Sequence, residues 1–491
     1  MPRREERIML NYIVAEENRT LTENGAATYA SSNSACLDFF ATMGALRDAS
    51  ETEILARFQS AYAENADMAL KLLFFARDVR SGLGERRLFR VILRWLALHE
   101  PQSVRKNLAY IPEYGRYDDW LPLLGTPCER EAVQRIDEQL TQDLEAGAEV
   151  SLLAKWLPSV NASNPETVRS AKRLAQLLGL RQSQYRQLLS LLRGKIHILE
   201  NDLRVCDYNF DYAKQPSKAL FKYRSAFERH DAERYRDFLT QAERGDTVLH
   251  TGTLTPYDVI APCFCRSEPL TAAERRTMDV TWNALENYAT DENALVIADG
   301  SGSMYSGQPL PIAVALSLAV YFAERNHGVF HDYFITFSQN PQLVQIKGAD
   351  IYEKVCCCAG YCEIVNTDLQ AVFELLLRAA VRNAVPQEEL PKKLYIVSDM
   401  EFDCCIDRAD ETNFERAKRR FAEYGYRLPE VVFWNVASHR RQQPVTRNEA
   451  GVALVSGVTP RLFAMLAGGL ASPYASMLEV IRSERYAAIL A

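Results

Sequence analysis

Between Ala294 and Gly457 the chain alternates short runs rich in Val, Ile, Phe and Tyr with helical stretches, and this alternation most limits what it can fold into. The runs are ALVIAD (294–299), VFHDYFITF (329–337), KLYIVSD (393–399), EVVFWNVA (430–437) and GVALVSG (451–457). PIAVALSLAVYFAERN (311–326), NTDLQAVFELLLRAAVRN (366–383) and TNFERAKRRFAEYG (412–425) lie between them with apolar residues at helical spacing. Such alternation predicts a mostly parallel sheet covered by helices on both faces. Sheets of this kind bind ligands beyond the carboxyl ends of their strands, where the strand order reverses.

Two of the runs end in a carboxylate, Asp299 and Asp399. After the first comes ADGSGSM, and its spacing excludes three familiar loops. Tyr305 stands where a dinucleotide fingerprint needs its third glycine, and Gln308-Pro309 stand where a P-loop needs Lys-Ser. Neither Ser301 nor Ser303 is flanked by the glycines of a nucleophile elbow. What remains is one carboxylate and two hydroxyls at alternate positions, which share a face of an extended segment. Hard oxygen ligands suit Mg²⁺ or Mn²⁺ rather than zinc. The plain alternative is a polar turn between a strand and a helix.

Upstream the texture differs. ALKLLFFARDV (69–79), ERRLFRVILRWLALH (85–99), REAVQRIDEQLTQDLEA (130–146), TVRSAKRLAQLLGL (167–180) and SQYRQLLSLLRGK (183–195) read as successive amphipathic helices without a strict repeat period. The expected division is therefore an α-helical domain over 1–289 and an α/β domain over 290–491.

The 491-residue chain is mildly acidic overall, but its charge is uneven. Residues 151–229 carry 14 Lys/Arg against 6 Asp/Glu, whereas residues 101–150 carry 5 against 10. The basic stretch holds Trp156, Tyr185, Tyr208, Phe210, Tyr212, Phe221, Tyr223 and Phe227 among its cations. Cations interleaved with aromatics can neutralise phosphates and stack bases, though such rings more often belong to a core. Lys155, Arg169, Lys172, Arg173, Arg186, Arg193 and Lys195 are the candidate RNA contacts. Arg80, Arg86 and Arg87, flanking a glycine turn before a helix, form a candidate anion site.

The longest apolar segment, Pro309 to Ala323, is short for a membrane span and reads as a buried helix. Eleven cysteines without a signal-peptide pattern point to reduced thiols in the cytoplasm. Cys358 and Cys362 have a zinc-compatible spacing, and Cys356, Cys357, Cys404 and Cys405 extend the set; buried free thiols are the plainer reading. The seven histidines form no ligand or base pair on a helix, so binding is expected rather than catalysis.

The C-terminal 200 residues resemble a von Willebrand factor A domain, on the strength of the D-x-S-x-S run, a threonine opening a helix and the later strand-end aspartate. The resemblance implies a Mg²⁺ or Mn²⁺ site of Asp299, Ser301, Ser303, Thr367 and Asp399. Thr367 is approached by EIVNTD instead of the glycine-rich loop common in such domains. In the first half, ALKLLFFARDVRSGLGERRLFRVILRWL followed by NLAYIPEYGRYDDWLPLL resembles the TROVE module of Ro ribonucleoprotein autoantigens, and a related TROVE-like family with the same pairing; the similarity runs over residues 35 to 485. It implies a HEAT-like helical domain followed by a Rossmann-like A domain, and a non-catalytic scaffold for small noncoding or misfolded single-stranded RNA. The alternative from the same residues is a metal-dependent module whose partner is a protein. Neither reading involves a membrane.

Overall fold

The structure is a computed structural model that describes residues 16–147, 149–196, 198–265, 268–289, 292–337, 340–362, 368–403 and 411–491. A helical first part gives way to a sheet region with parallel strands.

The described chain begins with a short antiparallel hairpin, β1 (Arg19–Leu21) and β2 (Ala27–Tyr29). Helices α1 (Ala35–Thr42) and α2 (Glu51–Glu64) follow, their first turns capped by Ser34 and Ser50. Next come α3 (Ala66–Arg77), α4 (Arg86–His99), α5 (Glu129–Glu145), α6 (Pro165–Leu177) and α7 (Gln182–Lys195). Each lies within three residues of the segment expected from apolar periodicity. In α4 the buried set is Leu88, Phe89, Ile92, Leu93, Leu96 and Ala97, one face at helical spacing.

Beyond α8 (Ser217–His230), α9 (Ala232–Arg244) and α10 (Ala272–Asn283) the sheet region starts with β3 (Ala294–Asp299). Its strands and longer helices continue with α11 (Pro311–Arg325), β4 (Tyr333–Phe337), β5 (Leu343–Gln345), α12 (Ile351–Ala359), α13 (Leu369–Asn383), β6 (Lys393–Ser398), α14 (Asn413–Glu423), β7 (Glu430–Asn435), β8 (Val452–Ser456) and α15 (Pro473–Ile481). The strand order is β5-β4-β3-β6-β7-β8, parallel throughout except for antiparallel β5 at the edge. Every residue of β3 and β6 is buried, as a parallel strand covered on both faces requires. Helix α11 is buried from Pro311 to Ala323 and packs on β3. Among the described residues no helix is long and apolar enough to cross a membrane.

The described residues pack as two units, one within 16–72 and 216–483, the other within 73–215 and 484–491. In the first, the hairpin and α1 join the sheet. Thr22 Oγ1 donates to the Phe402 carbonyl at 2.6 Å, Asn24 donates to the Glu401 carbonyl, and α1 packs against β8. In the second, the tail returns to the helices. Arg485 and Tyr486 donate to Asp78, and Asn107 exchanges two hydrogen bonds with Leu490. Periodicity shows that a helix buries one face, but not what it buries that face against.

Candidate metal site and basic face

β3 and β6 are neighbours whose onward connections leave in opposite directions, β3 toward β4 and β6 toward β7. The strand order reverses between them, so the groove beyond their carboxyl ends is where a doubly wound sheet holds a ligand. The register pairs Ala298 with Val397 and brings Asp299 level with the end of β6.

Asp299 is fully buried. Its Oδ1 accepts from the Ser301 amide at 2.9 Å, and its Oδ2 from the Ser398 hydroxyl at 2.6 Å. The Ser301 and Ser303 hydroxyls lie 3.1 Å apart. Gly300 allows this close turn: a β-carbon there would stand 3.1 Å from the Cys362 β-carbon. From β6, Asp399 is 2% exposed, and its Oδ1 accepts from the Glu401 amide at 3.1 Å. Its Oδ2 is buried with no hydrogen-bond partner among the described residues; the nearest cationic candidate is His439, with Nε2 at 3.8 Å.

The electrostatics are adverse. Burial and the neighbouring Asp399 charge push the Asp299 carboxyl up to about 7. Burial also raises Glu401, again with Asp399 contributing. Glu401 is satisfied by the Glu23 amide and by Gln442 Nε2. Two unneutralised carboxylates at one strand-end corner are costly unless a cation joins them. Two carboxylates and two hydroxyls form a hard-oxygen set that fits Mg²⁺ or Mn²⁺, and one carboxylate oxygen has no hydrogen-bond partner among the described residues. Thr367 lies outside the described residues, as do Cys404 and Cys405.

Among the described residues no group of three or more His, Cys, Asp or Glu is placed to hold an ion. Burial raises the thiols of Cys358 and Cys362, the latter to about 11 with the Asp299 charge contributing. Sequence spacing could not reveal Ser398 and His439, because they reach Asp299 and Asp399 only through the order of the strands.

The basic candidates divide sharply. Arg193 donates to the carbonyls of Ala154 and Leu157 and to Ser159 Oγ, tying α7 to the preceding segment. Lys195 donates to the Leu144 and Ala146 carbonyls at the end of α5. Lys155 pairs with Glu200 at 3.3 Å. Those three are largely spent on structure. Arg169, Lys172, Arg173 and Arg186 are exposed on α6 and α7, with Arg173 also 2.6 Å from Glu129. Of the interleaved aromatics, Tyr185, Tyr212, Phe221 and Phe227 are core. At the candidate anion turn Arg80, Arg86 and Arg87 are exposed.

With this geometry in place, comparison with known proteins gives three similarities. Residues 293–475 match a family model described as a domain of unknown function (DUF7788). Residues 22–123 and 162–292 match another domain of unknown function (DUF2828). The change from one match to the other falls just ahead of β3. The chain is also similar to Uncharacterized protein L728 of Acanthamoeba polyphaga mimivirus, 28% identical over 489 residues that span 91% of this chain and 84% of that protein.

Proposed function

We propose that this protein is a divalent-cation-dependent binding protein, with a sheet region of the von Willebrand factor A kind and a helical part of the HEAT-like, TROVE kind. Asp299, Ser301, Ser303 and Asp399 hold Mg²⁺ or Mn²⁺, and Thr367 completes the set. The observation that carries this reading is the orphaned Oδ2 of Asp399 beside a buried Asp299 at the reversal of strand order. A bound cation supplies a Lewis-acidic position, and a carboxylate from a protein partner fills it. The reading is of binding, since Ser301 and Ser303 lie 3.1 Å apart beside the Asp299 carboxylate as hydroxyl donors to one ligand set. Free thiols throughout the described cysteines fit a cytoplasmic setting.

Mn²⁺ titration followed by water-proton relaxation tests it. The intact chain is expected to bind one weak, exchangeable ion whose water is displaced by a glutamate-bearing peptide. Asp299→Ala should abolish the enhancement and Ser303→Ala should weaken it several-fold. Equal Mn²⁺ binding by wild type and Asp299→Ala would sink the assignment.

A second reading, a cytoplasmic scaffold for small noncoding or single-stranded RNA, is favoured by the exposed cations of α6 and α7. Replacing Arg169, Lys172, Arg173 and Arg186 together with glutamine should flatten the salt dependence of RNA binding by about 0.7 in log–log slope for each phosphate no longer neutralised. Lys155, Arg193 and Lys195 are left intact because they hold the helices. No affinity for RNA at low salt would end this second reading.

A further inference from the structure

One polar, largely exposed face of α5 looks into a cavity rather than onto open solvent. Arg135, Glu138, Gln139 and Gln142 recur at helical spacing and together form one wall of a cavity of about 710 Å³. Tyr117, Trp120 and the backbone around Gly115 form another wall, and the segment from Val150 to Trp156 closes the third side. All of these residues belong to the unit formed by 73–215 and 484–491.

The walls are built from flat groups. The Arg116 guanidinium lies 3.8 Å from the centre of the Trp156 ring and is held in plane by two bonds to Asp118, of 3.0 and 2.8 Å. Tyr117 packs edge-on to Trp120 at 5.7 Å. Leu152 lines the same space with 47% of its surface exposed, an apolar patch facing a polar helix. The charges nearly cancel: Arg80 and Arg135 stand against Glu113 and Glu138, leaving Arg116 already paired with Asp118.

We propose that this cavity binds a nucleobase, carried by a free nucleoside or nucleotide or by an unstacked base of single-stranded RNA. A planar heterocycle matches a slot with a stacked guanidinium and indole on one side and carboxamides on the other. Gln142 offers a paired donor and acceptor to a base edge and Gln139, whose NH₂ also donates to Asp143 at 3.1 Å, adds its carbonyl, while Leu152 covers the apolar surface. A phosphate alone would gain little from so balanced a rim, where Arg135 already pairs with Glu138. The site is distinct from the metal groove and from the exposed cations of α6 and α7, and it depends on neither reading.

Calorimetry on the intact chain tests it with adenosine, AMP and a short oligoadenylate. Adenosine and AMP should bind within about three-fold of each other, with little salt dependence, because the base and not the phosphate is recognised. Trp156→Ala should weaken binding by about ten-fold, the scale of one stacked ring. Leu152→Glu, at an exposed position that leaves the fold intact, should weaken it comparably. Binding of the oligoadenylate alone, lost in both variants, supports the site with RNA as the source; binding of adenosine assigns it to free nucleosides. The proposal is overturned if no probe binds at millimolar concentration. It is equally overturned if AMP binds and adenosine does not, if a neutral hexose competes as well as adenosine, or if both variants bind like wild type.

Discussion

Asp119→Ala is expected to lower the stability of the helical unit by roughly 3–5 kcal/mol, the cost of stripping one partner from a buried ion pair. Asp119 is fully buried, and its two oxygens serve three donors. Oδ2 accepts from Arg77 Nε at 2.8 Å and from the Arg116 amide at 2.9 Å, and Oδ1 accepts from Arg90 Nε at 2.7 Å. Arg77 is 1% exposed, so without Asp119 its charge is stranded away from water. Arg90 is partly exposed and also reaches Asp118 at 2.6 Å, so it loses less. The two arginines therefore predict an ordering. Replacing both members of the buried pair, Arg77→Met with Asp119→Leu, should recover part of the loss, since it removes the stranded Arg77 charge and leaves Arg90 on Asp118, while the Arg116 amide still loses its acceptor. Urea unfolding followed by tryptophan fluorescence reads this directly, because Trp95, Trp120 and Trp156 all lie in that unit. An Asp119→Ala midpoint equal to that of wild type would show that the pair does not hold the unit together.

How far the sequence reveals this molecule depends on whether a feature is local. Buried strands announce themselves: β3 begins and ends where its apolar run does, and β6 stops one residue before Asp399. Asp299 and Asp399 stand at or just past the ends of strands that their apolar runs mark, but Ser303 lies in a short 3-10 turn, Gly302–Tyr305, so the alternation of an extended segment does not carry through the loop. The run at 329–337 overshoots, since Val329 is 79% exposed and the strand starts only at Tyr333. An apolar residue before a strand looks the same whether it pairs or turns. β5 went unseen because three residues with alternating exposure at a sheet edge carry almost no periodic signal. The basic stretch shows the opposite failure. Lys195 and Arg193 look like surface cations, yet they close off carbonyls tens of residues away, and only the folded chain supplies those acceptors. Packing partners are invisible for the same reason, which is how residues 16–72 come to sit with a sheet formed more than two hundred residues later.

Asp299→Asn is expected to invert the usual relation between a site and its fold. Without metal the variant should melt above wild type, because it removes one of two buried carboxylates that oppose each other while keeping their neighbours bonded. The asparagine oxygen can still accept from the Ser301 amide, and its NH₂ can donate to the Ser398 hydroxyl, which already receives the Met400 amide at 3.0 Å. With Mn²⁺ the order should reverse. A ligand that binds only the folded state stabilises it by about 2.7 kcal/mol at a hundred-fold excess over Kd, and wild type alone should collect that gain. Thermal unfolding in EDTA and in a Mn²⁺ series gives four melting temperatures that must cross. Parallel shifts in both proteins would mean that the ion binds elsewhere, and a variant less stable than wild type in EDTA would mean that the carboxylate pair is not strained. A crossing would identify Asp299 as a residue whose cost to the fold is recovered through a bound cation, the pattern expected where a local rule of stability is broken at a functional site.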